Sequence, residues 1–263
     1  MIRVDPRDVL TRTTDLPDAV VRYAGHADAL IDLHLPPARA GKQPLVVLIH
    51  GGFWQVEYDR THTRPLANAL AAEGFVVAAP EYRRLGATGE RQGGWPTTFD
   101  DISMALGSLP ELLDRLGVAV SSLTVVGHSA GGHLALWLAN EPHPVDRVVA
   151  LAPVGDLRAA AHDHLGEDAT RSLLGGTPDE VPDRYDAADP MTRLTDPPAC
   201  DVVVLHGTDD QQVPVEHSRG LVARHPQIVF HELEGIEHFG LIDPLSRAWP
   251  VVRDAVSGHD RPT

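Results

Sequence analysis

The sequence predicts an α/β fold: a mostly parallel central sheet with helices on both faces, opened by an antiparallel hairpin and interrupted by a small lid insertion. Three observations predict it. Short apolar runs recur along the 263 residues without polar alternation, as strands covered on both faces require. Segments with helical spacing lie between them, so strand and helix alternate along the chain. Hydrophobic residues make up 43% of the sequence, enough for a chain this long to bury roughly three quarters of its unfolded surface around one core.

Residues 20–23 and 29–35 are β-leaning, and in the second Ile31, Leu33 and Leu35 alternate with Asp32 and His34, which predicts the hairpin. After a turn punctuated by Pro and Gly, residues 45–49 (LVVLI) form the first wholly apolar run. Similar runs follow at 75–79, 123–126, 147–151, 202–205 and 228–230. Helical spacing marks 61–73, with Leu66 and Leu70, and a later stretch in which Leu112, Leu113 and Leu116 share a face. Ser108 and Glu111 form a capping box around Pro110, predicting that one helix ends there and another begins. Further helices are expected at 130–140, 215–224 and 246–256. Residues 155–195 break the rhythm: rich in Asp, Pro and Gly, with apolar residues only in short clusters such as Leu173 and Leu174, they read as an insertion over the C-terminal edge of the sheet. A mobile lid is its expected role, within one domain spanning 1–263.

Composition narrows the function classes. With 37 acidic and 22 basic residues the net charge is −15, Lys42 is the single lysine, and the arginines are scattered, which argues against a nucleic-acid partner. One cysteine, Cys200, allows no intramolecular disulfide, no cysteine-based zinc site and no CxxC pair, and reads as an inert thiol. Residues 1–10 (MIRVDPRDVL) carry no apolar leader core, and no run approaches about eighteen uninterrupted apolar residues, so a cytoplasmic protein without a membrane partner is expected. His162-Asp163-His164 lacks a second ligand cluster and no HExxH occurs, so no metal is expected.

The strongest chemical signal is Gly127-His128-Ser129-Ala130-Gly131, directly after a predicted strand and opening a predicted helix. A strand-to-helix turn this tight needs Gly on both sides of the serine, and it exposes Oγ as a nucleophile. A serine hydroxyl needs a base, and the base an orienting carboxylate. Downstream, the strand at 202–205 runs into His206-Gly207-Thr208-Asp209-Asp210-Gln211-Gln212-Val213-Pro214, and the strand at 228–230 leads to Glu237-His238-Phe239. Spacing alone leaves Asp209 and Asp210 as rival carboxylates. His238 is the candidate base, with His231 a distant second.

With these residues in view, the chain resembles α/β-hydrolases of the esterase, lipase and arylformamidase group over nearly its whole length. His50-Gly51-Gly52-Phe53-Trp54 resembles the HGGxW motif of kynurenine formamidases, 127–131 the nucleophile elbow, and 206–214 the HGxxDxxVP turn. The resemblance implies the α/β-hydrolase fold, a Ser129, Asp210, His238 triad, and an oxyanion hole from the backbone N–H groups of Gly51, Gly52 and Ala130, with His50 bracing the loop. Phe53, Trp54, Tyr82, Trp95 and Phe239 are candidates for lining an acyl or aryl pocket. Two-step acyl transfer on a small-molecule ester follows, with no cofactor. Aryl formamide hydrolysis is the close rival, and a dipeptidyl-peptidase-like hydrolase or a catalytically silent binding module stands further off.

Overall fold

The structure, a computed structural model, describes residues 5–38, 41–195 and 197–259; of the 1–10 stretch, residues 1–4 lie outside them. The described strands form one eight-stranded sheet: β1 (Ala19–Arg22), β2 (Leu30–His34), β3 (Gln43–Ile49), β4 (Val76–Pro80), β5 (Val120–His128), β6 (Arg147–Leu151), β7 (Asp201–Gly207) and β8 (Val229–Leu233). Their spatial order is β1-β2-β4-β3-β5-β6-β7-β8. The first two strands pair antiparallel with each other, β2 pairs antiparallel with β4, and the remaining neighbours are parallel.

Helices cover both faces because the strands are apolar on both. In β3, Leu45, Val47 and Ile49 pack into the same core as Leu106 and Leu113 of α2 (Thr97–Arg115) and Leu134 of α3 (Ala130–Leu138), whereas Val46 and Leu48 pack with Leu66 and Leu70 of α1 (Arg64–Ala72). Strand β2 is the exception that alternates, yet its polar side chains are also buried. Asp32 receives hydrogen bonds from Arg60 Nε (2.7 Å) and Arg64 Nη2 (2.8 Å), and His34 Nδ1 pairs with Asn68 Oδ1 at 2.6 Å.

One local expectation is corrected. The helix does not break at Pro110: α2 runs through it, Ser108 Oγ donates to the Ala105 carbonyl instead of capping a new helix, and Leu106, Leu109, Leu112 and Leu113 on both sides are buried. Continuous burial of that apolar face outweighs the backbone hydrogen bond that proline removes, a cost of about 3 kcal/mol. Residues 155–195, the expected insertion, contain four helices: α4 (Leu157–His162), α5 (Leu165–Leu174), α6 (Pro182–Ala188) and α7 (Pro190–Arg193). They are short, and α5 is kinked, with Gly166, Glu167 and Asp168 all at positive φ, so no sustained periodicity is visible in sequence. Two more helices, α8 (Glu216–Arg224) and α9 (Trp249–Ser257), complete the alternation.

Candidate active site

The site lies where β3, β5, β7 and β8 end. Strand β5 stops at His128 and α3 starts at Ala130, leaving Ser129 alone in the turn with φ 57° and ψ −119°. A non-glycine residue is strained there, by about 1–3 kcal/mol, and persists only because its surroundings fix it. A Cβ on Gly127 would run into the Gly131 backbone, and one on Gly131 into the Ile49 backbone, so any side chain at either position would force the turn open. The Ser129 N–H donates to the Leu151 carbonyl at 2.8 Å, tying the turn to β6.

Asp210 and His238 come from the loops after β7 and β8. His238 Nδ1 donates to Asp210 Oδ2 at 2.6 Å, and His206 Nε2 lies 3.2 Å from the same oxygen. Oδ1 accepts the backbone N–H groups of Gln212 (2.8 Å) and Val213 (2.9 Å). Burial alone would raise the Asp210 pKa, but the hydrogen bonds from His206 and His238 hold it well below the ordinary carboxylate range. Asp209 is exposed, its backbone N–H donating to the Ile236 carbonyl at 3.0 Å, so geometry separates the two neighbours that spacing could not. His231 lies within β8, opposite Leu205. The turn carrying His238 is capped by Glu237, whose carboxylate accepts the N–H groups of Phe239 (3.1 Å) and Gly240 (2.5 Å).

His128 also supports this turn. Its Nε2 donates to the His238 carbonyl at 3.1 Å, and burial, then the adjacent His238, push its imidazole well below the ordinary histidine range and keep it neutral.

The loop after β3 faces the serine. A Cβ on Gly51 would stand 2.8 Å from the His128 carbonyl oxygen and 2.9 Å from Ser129 Cβ. Two side chains orient the peptides here. Tyr82 Oη donates to the His50 carbonyl at 3.0 Å, and His50 Nδ1 donates to the Gly51 carbonyl at 2.8 Å. In a trans peptide C=O and N–H point opposite ways, so these bonds turn the N–H groups of Gly51 and Gly52 away from Tyr82 and His50. His50 is itself fixed by Glu81 at 2.8 Å on Nε2 and by stacking on Tyr82, with ring centroids 4.3 Å apart. Ala130 opens α3, where backbone N–H groups have no partner within the helix.

Ser129 and His238 line one small cleft of about 30 Å³ with Gly52, Phe53, His62 and Phe239. The pocket assignments for Trp54, Tyr82 and Trp95 are corrected. Trp54 and Tyr82 are 0% exposed, Trp54 edge-on to His133 in the core and Tyr82 behind the glycine loop. Trp95 packs edge-on against Phe99 at 4.8 Å, and its backbone N–H donates to the Leu173 carbonyl of α5. Aromatic residues near a motif satisfy core and pocket patterns equally, which is why sequence could not separate them. His206, which opens the HGxxDxxVP turn, joins the site at Asp210, and Glu81 and His62 join it at His50 and the cleft wall; sequence does not mark Glu81 or His62, because nothing local distinguishes a buried histidine or carboxylate before its partners are known. Larger cavities exist elsewhere, including one of about 340 Å³ beside Cys200, whose thiol burial and then Asp201 push up to about 11. Its lining lacks the serine and histidine chemistry of the smaller cleft. Among the described residues no cluster of three or more His, Cys, Asp or Glu side chains is arranged to hold a metal, and no helix is long and apolar enough to cross a membrane.

The BD-FAE family model matches residues 31–224. The chain is 28% identical over 220 residues to the probable carboxylic ester hydrolase LipM of Mycobacterium tuberculosis, covering 75% of this chain and 49% of that protein. It is 29% identical to esterase LipC of the same organism, covering 76% and 54%, so it spans about half the length of these relatives. It is also 25% identical over 239 residues to a kynurenine formamidase of Drosophila melanogaster, covering 85% and 75%. Among solved structures, a truncated carbohydrate esterase from gut microbiota superposes with a TM-score of 0.77 at 20% identity, over 92% of this chain and 95% of that one, a likeness of fold.

Proposed function

Because the chain belongs to the BD-FAE family and has the α/β-hydrolase fold, we propose that it is a serine hydrolase cleaving a small carboxylic ester through an acyl-enzyme. The observation that carries this reading is the 2.6 Å hydrogen bond from His238 to an ionised Asp210 in the cleft that also holds the strained Ser129. With Nδ1 donating to Asp210, Nε2 is the nitrogen left to serve a hydroxyl. Ser129 Oγ bonds to the ester carbonyl carbon while its proton passes to His238. The negative charge on the carbonyl oxygen meets the N–H groups of Gly51, Gly52 and Ala130, each worth about 2.7–4 kcal/mol in the transition state. The carbon–oxygen bond to the alcohol breaks as His238 returns the proton to the leaving oxygen. Water then repeats the sequence, releasing acid and restoring Ser129. Asp210 stays ionised throughout, and the chemistry needs no cofactor. Residues 155–195 act as a lid within a single domain, since the α5 kink packs behind Phe53, one of the residues that line the cleft: a Cβ on Gly166 would stand 2.5 Å from the Phe53 ring.

Aryl formamide hydrolysis is the second reading. One observation favours it: the formamidase likeness covers 75% of that relative, against about half of the esterases. The test sets the wild type and Ser129→Ala side by side on N-formylkynurenine and on p-nitrophenyl esters from acetate to octanoate. Ester turnover with kcat/KM above ~10⁴ M⁻¹s⁻¹, lost in the variant, supports the esterase. Formamide cleavage at that level with weak ester turnover supports the rival. Activity retained by Ser129→Ala overturns both.

A further inference from the structure

The segment from Asp5 to Arg12 takes no part in the chemistry above, yet it is fastened beside the cleft. It forms a 3-10 turn, Pro6–Leu10, opened by Asp5, whose carboxylate accepts the Arg7 N–H at 2.9 Å. Three attachments hold it. Val9 is fully buried in the core that also contains Leu241 and Val252. The Arg12 guanidinium makes paired hydrogen bonds to the Asp243 carboxylate, Nη2 to Oδ2 at 2.8 Å. The Arg7 guanidinium sits 5.9 Å over the Phe239 ring. Asp243 and Phe239 both belong to the stretch that follows His238, so this strap is anchored to the turn that carries the candidate base. Leu10, half-buried, lines the cleft with Ser129, His238 and Phe239.

We propose that Leu10, held by the Arg12–Asp243 pair, is a specificity-determining residue that limits the length of the alcohol portion of the ester. The inference rests on the esterase reading. The leaving oxygen must take its proton from His238, so the alcohol arm lies on the His238 side of the scissile carbonyl. Phe239, next in the chain to His238, and Leu10, which the strap brings against that turn, wall this side. At about 30 Å³ the cleft has room for about two water-sized groups, so a side chain on its wall sets which alcohols fit. Replacing leucine by alanine removes its three terminal carbons from the wall; tryptophan fills the space further.

The experiment measures kcat/KM for acetate esters of ethanol, butanol and hexanol by acid release, in the wild type, Leu10→Ala, Leu10→Trp and Arg12→Met. Melting curves accompany each variant, and p-nitrophenyl esters of rising acyl length serve as the fixed-alcohol control. Leu10→Ala and Arg12→Met are expected to raise the hexyl-to-ethyl ratio at least about tenfold, the discrimination that one methylene carries in an apolar pocket. Leu10→Trp lowers it, and the acyl-length profile stays put. An unchanged ratio in folded Leu10→Ala and Leu10→Trp overturns the proposal, as does a shift in acyl preference in place of alcohol preference; the esterase reading survives both. A wild type that cleaves neither series, and whose Ser129 a fluorophosphonate does not label, removes the esterase reading itself and the proposal with it.

Discussion

Replacing Asp210 by asparagine probes the site most directly, because the structure says what each of its oxygens does. The amide oxygen of the new side chain can keep the place of Oδ1 and accept the N–H groups of Gln212 and Val213, now held at 2.8 and 2.9 Å. The NH₂ group then takes the place of Oδ2 and faces His238 Nδ1, which stands 2.6 Å away and donates in the wild type. Two donors cannot share that bond, so the imidazole moves its proton to Nε2, the nitrogen that in the proposed mechanism receives the serine proton. Loss of the base through the wrong tautomer costs about 10⁴-fold in kcat, or about 5.5 kcal/mol of barrier. The fold should survive, since the backbone and side-chain neighbours of the carboxylate keep polar partners. The assay compares kcat/KM on p-nitrophenyl acetate, fluorophosphonate labelling rate, and the imidazole ¹⁵N shifts of wild type, Asp210→Asn and Asp209→Asn. Asp209 is exposed, and its variant should remain within about twofold of wild type. An Asp210→Asn enzyme retaining about a tenth of its activity, or an Asp209→Asn enzyme that loses most of it, would refute the reasoning.

At position 129, glycine and alanine both remove the proposed nucleophile, but only glycine tolerates φ 57°; Ser129→Gly should therefore melt about 2–4 °C above Ser129→Ala, and equal melting points would show that the turn holds no strain. Tyr82→Phe deletes the 3.0 Å hydrogen bond to the His50 carbonyl, leaving that buried oxygen one donor short. It should cost about 1–3 kcal/mol in stability and lower kcat by up to about 10²-fold through a mis-aimed Gly51 N–H; an unchanged kcat would remove Tyr82 from the support of the oxyanion loop. Asp189, buried behind α6 and facing Asp156, has its pKa pushed up to about 6, burial being the larger cause. A carboxyl raised in the folded state stabilises fully below its unfolded pKa and loses that contribution as pH rises through about 6, so the melting temperature should fall across that interval and Asp189→Asn should flatten the fall. A wild-type melting temperature that climbs from about pH 4 to 7 with no difference from the variant would contradict this.

Much of the fold was legible because its signals are local. An apolar run such as LVVLI has to be covered on both faces, whatever lies around it, and β3 is buried accordingly. The glycines around Ser129 were readable for the same reason, since the elbow is built by residues adjacent in sequence. The helix through Pro110 was not readable, because its continuity comes from leucines pressed against the sheet and not from the capping residues beside the proline.

The sequence by itself determined the order of elements, the position of the elbow, and the residue types available for nucleophile, base and carboxylate. The HGxxDxxVP resemblance pointed to Asp210, and the tertiary structure supplied the physical difference from Asp209 that spacing lacks, because adjacent residues in a turn point in different directions and their burial depends on loops that arrive from β8. It also moved Trp54 and Tyr82 from the pocket wall into the core and put Leu10 on that wall, far ahead in the chain of the serine it approaches. The physical reason is the same in each case: a side chain's chemistry is local, whereas its partner, burial and direction are fixed by segments distant in the chain.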